Sequence, residues 1–150
     1  MKTIFRILVI FMLRTSSCLA YELGDKFNEN DFTKYLNLGD NKIAYSLNND
    51  TLNFYGIEAD QINYIFYKDR LYAKFFIFSI KNPEVSLDKI LNVLEYYYGK
   101  PTTKNIKLGS YYYLSKDSLG ILTLNKEFKQ YEFVIADNKM MLEFHSESKK

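Results

Sequence analysis

Beyond residue 42 the chain alternates short apolar and aromatic runs with small polar clusters. Runs at 43–47, 52–57, 61–67 and 71–80 close at Asn48-Asn49-Asp50, Glu58-Ala59-Asp60, Lys68-Asp69-Arg70 and Lys81-Asn82-Pro83 respectively. Asn and Asp tolerate left-handed backbone and bond their own turns, and proline removes a ladder donor. Short runs with tight polar links predict four strands of an antiparallel meander.

The period then changes. Leu87, Ile90, Leu91, Leu94 and Tyr98 share one helical face. Ser86 is placed to cap, Asp88 puts an acid in the first turn, Gly99 supplies the terminal left-handed residue, and Pro101 blocks continuation. These signals predict a helix over about 86–98. After a polar loop at 100–110, strands return at 111–114, 121–124, 131–135 and 140–144, as two hairpins, and 145–150 reads as a frayed tail. Residues 21–42 carry Gly24, Asp25, Asn28, Gly39 and Asp40 among Phe27, Phe32, Tyr35, Leu36 and Leu38, and read as an irregular arm docked by its aromatics. The expected fold class is α+β: one antiparallel sheet of about seven or eight strands, with one main helix inserted between two groups of strands. Residues 21–150 form its single domain.

Strand side chains alternate faces, and neither 61–67 nor 71–80 has a polar side. Ile62, Tyr64 and Phe66 oppose Asn63, Ile65 and Tyr67; Leu71, Ala73, Phe75 and Ile77 oppose Tyr72, Lys74, Phe76, Phe78 and Ile80. Strands apolar on both faces are normally buried on both. One helix, about 20 Å long, crosses only a few strands at their ~4.8 Å spacing. The arm, curvature of the sheet, a second copy of the chain, or a partner or ligand are the open coverings of the second face. Two tyrosine triplets, 96–98 and 111–113, add residues that combine an apolar body with a hydroxyl, a combination suited to interfaces. Tyr67, Tyr72, Phe76, Phe78, Tyr97 and Tyr112 are the candidate contact residues for a protein partner, with ordinary core packing as the competing reading.

Lys2 and Arg6, the apolar run 7–13 and the small-residue stretch ending at Ala20 have the layout of a secretory signal peptide over 1–20. The run is too short to span a bilayer. Ser16-Ser17-Cys18 also fits the end of a lipoprotein signal, which would make Cys18 an acylation site and anchor the chain to a membrane. Either route predicts an exported protein, periplasmic or secreted, or membrane-anchored if lipidated.

Charge changes with that reading. Of 20 Lys+Arg, three fall at Lys2, Arg6 and Arg14, leaving 17 against 18 Asp+Glu in residues 21–150, a formal charge of −1. A near-neutral domain lacks the basic footprint of a nucleic-acid binder. Cys18 is the only cysteine, so no disulfide framework exists and stability must come from packing. With 14 Tyr and 12 Phe the chain is too aromatic to be disordered.

The search for chemistry is negative. The lone histidine, His145, lies in the expected tail between Glu143 and Glu147, and reads as solvated. No nucleophile elbow, phosphate loop, dinucleotide fingerprint or HExxH stretch occurs. Glu58 and Asp60 sit two apart at a turn rather than facing each other across a cleft. Asn48-Asn49-Asp50 is too short for a calcium loop. No enzyme, metal or cofactor is expected.

Tyr55-Gly56-Ile57 through Ile62-Asn63-Tyr64-Ile65-Phe66, with Arg70-Leu71-Tyr72 and a helix ending Tyr98-Gly99-Lys100-Pro101, resembles a pattern found in small exported bacterial proteins of unknown function. It covers residues 52–101. The resemblance implies export and an α+β sheet, and transfers no catalytic position. The expected function is non-catalytic binding in the bacterial envelope to another protein, as an inhibitor or immunity-type module. A membrane-tethered assembly lipoprotein acylated at Cys18 and a small-ligand carrier are the alternatives, and a homodimer stays open.

Overall fold

A computed structural model describes residues 21–49, 51–105 and 107–147. The expected signal segment with Cys18, and 148–150 of the expected tail, lie outside the described residues. In chain order the elements are β1 (Phe32–Gly39), β2 (Lys42–Leu47), β3 (Asn53–Phe54), β4 (Ile57–Glu58), β5 (Gln61–Tyr67), β6 (Arg70–Ser79), α1 (Leu87–Tyr98), β7 (Thr103–Asn105), β8 (Ser110–Leu114), β9 (Ser118–Asn125), β10 (Gln130–Asp137) and α2 (Asn138–Glu147). Eight strands form one antiparallel sheet in the order β1-β2-β5-β6-β10-β9-β8-β7, and β3 and β4 form a separate small hairpin. The fold is α+β, with α1 between the two strand groups as the pattern implied. Each half is a four-strand meander followed by a helix, and the halves join where β6 pairs β10.

Local sequence explains most joints. Asp40-Asn41, Tyr55-Gly56 and Lys68-Asp69 are two-residue turns with both φ angles positive, 48°/59°, 48°/89° and 48°/60°. That mirror-image turn matches the right-handed twist of the flanking strands. Helix α1 starts where the Ser86 hydroxyl accepts the Lys89 N–H at 3.2 Å and ends at Gly99, φ 81°.

The inner face of the sheet carries Ile62, Tyr64, Phe66, Phe76, Phe78, Leu122 and Phe133, all buried. Ile90 and Leu94 of α1 pack on it, and so does Phe54 of the small hairpin, whose ring lies 4.7–5.6 Å from those of Phe76, Phe78 and Phe133. The arm completes the cover. Its Gly24 N–H donates to the Leu71 carbonyl (2.8 Å), Asp25 accepts from the Leu71 N–H (2.7 Å), and Phe27 inserts among Phe32, Tyr45 and Phe66.

Several expectations are corrected. Residues 140–144 are helical, within α2, and so is 145–147 of the expected tail. Both edges of β10 are already taken by β6 and β9, so the chain beyond Asp137 has no strand to pair with. The Asp137 carboxylate instead accepts the Met140 N–H at 2.9 Å and caps a helix. Within the expected irregular arm, 32–39 is strand β1; an edge strand exposed on both sides carries little hydrophobic alternation to read. The expected strand at 52–57 is the β3–β4 hairpin turning at Tyr55-Gly56, and the 100–110 loop contains β7. On β6 a bulge leaves Tyr72 as the extra residue, since Ile65 pairs Ala73 but Phe66 pairs Leu71. Leu71 is thereby moved to the inner face, away from Ala73, Phe75 and Ile77.

Candidate functional site

Among the described residues, the outer face is covered at one end only. Register places Ala44, Ile65, Ala73 and Ala136 side by side across β2, β5, β6 and β10. The three alanines are buried, because α2 crosses this end and small side chains let its backbone approach. Asn138 Nδ2 donates to the Ser115 carbonyl at 2.9 Å. Phe144 meets the Tyr67 ring edge-on at 5.8 Å, and the Lys42 ammonium sits 3.3 Å from the Phe144 ring centre. At the far end Glu147 accepts from the Tyr67 hydroxyl (2.6 Å) and pairs with Lys68 (2.5 Å). Those bonds push both groups upward from their ordinary pKa: hydrogen bonding to Glu147 is the leading cause for the Tyr67 phenol and for the Lys68 ammonium.

One strand-repeat away the cover stops. Phe75, Val134, Ile121 and Tyr112 lie in one cross-strand row, continued to Asn63 on β5, with Ile77 in the next row. The five apolar residues are half-buried, and among the described residues no helix is shown over them. Five strands at ~4.8 Å spacing make the stripe about 19 Å long. Polar side chains that bond one another border it: Gln61 donates to Asn63 (2.9 Å), and Asn125 and Gln130 both donate to Glu132 (2.8 and 2.7 Å). Leu114, 62% exposed, extends the apolar surface at the β8 end. The result is an apolar row bordered by hydrogen-bonded polar side chains.

The six candidate contact residues do not form one patch. Tyr112 lies in the stripe. Tyr67 is buried under α2, and Tyr72, at the bulge, lies 6.5 Å from it and half-buried. Phe76 and Phe78 are removed from the candidate surface: they are 2% and 0% exposed in the core, where both pack against the Phe54 ring and Phe76 stacks on Phe133. Tyr97 is 51% exposed at the end of α1 and stacks on Tyr55 with ring centres 3.7 Å apart. The residues that the structure brings together beside Tyr112 are Phe75, Val134 and Ile121, with Ile77 in the next row. The alternation along β6 groups Phe75 with Ile77, but only the tertiary structure shows which of its two apolar faces α1 takes.

Among the described residues no group of His, Cys, Asp and Glu is arranged to hold a metal, and no helix is long and apolar enough to cross a membrane. The chain matches no family model, no curated protein and no solved structure.

Proposed function

We propose that the protein is an exported, non-catalytic binding protein of the bacterial envelope, and that the uncovered stripe Phe75–Val134–Ile121–Tyr112 with Ile77 is where it grips a protein partner. The observation that carries this reading is the half-covered outer face: α2 shields the alanine row and leaves the larger apolar side chains beside it unshielded. Apolar patches of this kind on a folded surface mark interaction sites. The occupant is another folded protein offering an apolar centre. The amides bordering the stripe are already satisfied by one another or by Glu132, so specificity comes from shape at the centre. Export is supported by the charge and apolar pattern of residues 1–20.

The test is capture from the native envelope with tagged wild-type protein beside an Ile121→Lys/Val134→Lys variant, both checked for native circular dichroism. We expect one stoichiometric protein to survive high salt on the wild type and to be lost from the variant. Equal capture by both, or none by either, refutes the assignment.

A further inference from the structure

Among the described residues the sheet has two free edges, and they differ in how they are guarded. At one end β7 is three residues long, carries Lys104 at its centre and follows Pro101 by two positions. A short strand, a lysine and a proline are the usual devices that keep an edge from pairing. At the other end β1 runs for eight residues, against about five or six for an ordinary strand. It pairs on one side only, with β2. It contains no proline, and Lys34 is its only charge.

Phe32 is the one buried residue of β1 and anchors the strand to the core. Tyr35, Leu36 and Leu38 are 57%, 51% and 45% exposed, so a single copy gains little from their being apolar. Tyr35 and Leu38 are also the extra residues at two bulges: Lys34 and Leu36 pair the consecutive residues Tyr45 and Ala44, and Asn37 and Gly39 pair Ile43 and Lys42. A bare edge presents backbone N–H and C=O groups at a spacing that another strand matches.

We infer that β1 pairs antiparallel with β1 of a second copy of the chain, so that one sheet runs through both. A two-fold axis between Tyr35 and Leu36 sets Tyr35 of each copy against Leu36 of the other, and Lys34 against Asn37. The centre is then apolar, its flanks are polar, and no like charges face each other. Bulges heighten the local twist, and a strand that pairs with β1 has to follow it; a second copy brings the same twist. The two-fold also closes both bare edges at once, whereas a foreign strand leaves its own far edge open. This contact is separate from the stripe, whose apolar residues lie on β6, β10, β9 and β8, while β1 ends the sheet on the other side of β2 and β5.

Analytical ultracentrifugation of the purified protein between about 1 and about 100 µM tests this, and dimer should form within that range. Leu36→Lys places like charges beside the two-fold axis at an exposed position. It should leave circular dichroism unchanged and weaken dimerisation at least about tenfold. Leu36→Glu should do the same, and mixing the two variants should restore a dimer containing one copy of each. Amide exchange at 33–38 in the wild type should slow as the concentration rises, which reports the pairing directly and needs no variant to fold. The inference is overturned by a wild type that is monomeric at about 100 µM, by a dimer that Leu36→Lys leaves unchanged, or by no recovery on mixing. Exchange at 33–38 that does not depend on concentration also overturns it. The stripe variant Ile121→Lys/Val134→Lys should still dimerise and Leu36→Lys should still capture the protein partner, so failure of this edge and failure of the stripe are read separately.

Discussion

Phe75 and Phe76 are consecutive on β6 and point to opposite faces, which makes them a paired probe of the whole architecture. Phe76 is 2% exposed, with Phe54 at 4.7 Å and Phe133 at 6.0 Å between ring centres. Truncation to alanine removes a ring from a closed core that cannot collapse around it, a loss of about 3–5 kcal/mol. Domains of this size have about 5–15 kcal/mol in total, so Phe76→Ala should be marginally folded at best. Phe76→Asp adds an unpaired buried charge and should not fold. Phe75 is half-buried on the uncovered stripe and already meets water, so Phe75→Ala forfeits only part of its transfer energy, about 1 kcal/mol. Urea melts followed by circular dichroism measure both, and partner capture is scored in parallel. The expected pattern is a large midpoint shift for Phe76→Ala with weakened capture explained by unfolding. Phe75→Ala should show a small shift with capture lost. Equal destabilisation by the two would mean that the stripe is buried in the monomer, and would falsify the outer-face assignment.

Two further outcomes follow from the packing. The Tyr113 hydroxyl is buried with no hydrogen-bond partner, and burial, reinforced by Tyr111 and Glu95, pushes its pKa up to about 12. Unfolded tyrosine ionises near 10.0, so this contribution is intact below pH 10 and lost as pH rises from 10 toward 12, where the native state still holds a proton that the unfolded chain has released. Tyr21, also raised to about 12 by burial and its bond to Asp31, acts in the same direction. Denaturation at pH 9, 11 and 12 should show falling stability, with a shallower fall in Tyr113→Phe; that variant should be neutral or up to ~1 kcal/mol more stable at pH 7 because it deletes an unsatisfied hydroxyl. Ala73→Leu should lift α2 from the outer face at a cost of about 1–3 kcal/mol. Amide exchange over 139–147 should speed up while the inner strands stay protected, and unchanged exchange there would show that α2 does not rest on the alanine row.

What could be read from the chain was local. Ser86, Gly99, Pro101 and the 3–4 spacing of Leu87, Ile90, Leu91 and Leu94 mark α1 within a residue of its observed ends, because caps and periodicity act over one or two turns. Polar dipeptides such as Lys68-Asp69 mark hairpins for the same reason. The α+β class followed from those local signals together.

Only the tertiary structure decided what depends on neighbours far along the chain. Met140 to Phe144 looks as much like a strand as like a helix; it is a helix because β6 and β9 leave β10 no free edge and Asp137 caps the turn. The bulge at Tyr72 comes from pairing with β5, and it sends Leu71 to the opposite face from the one simple alternation assigns. Phe76 and Phe78 look no different in sequence from Phe75, yet the first two form the core and the third lies open, because α1, the arm and the β3–β4 hairpin all settle on one side. Alternation specifies that a strand has two faces; which of them is covered is settled by the balance of packing among segments that meet only once the sheet has formed.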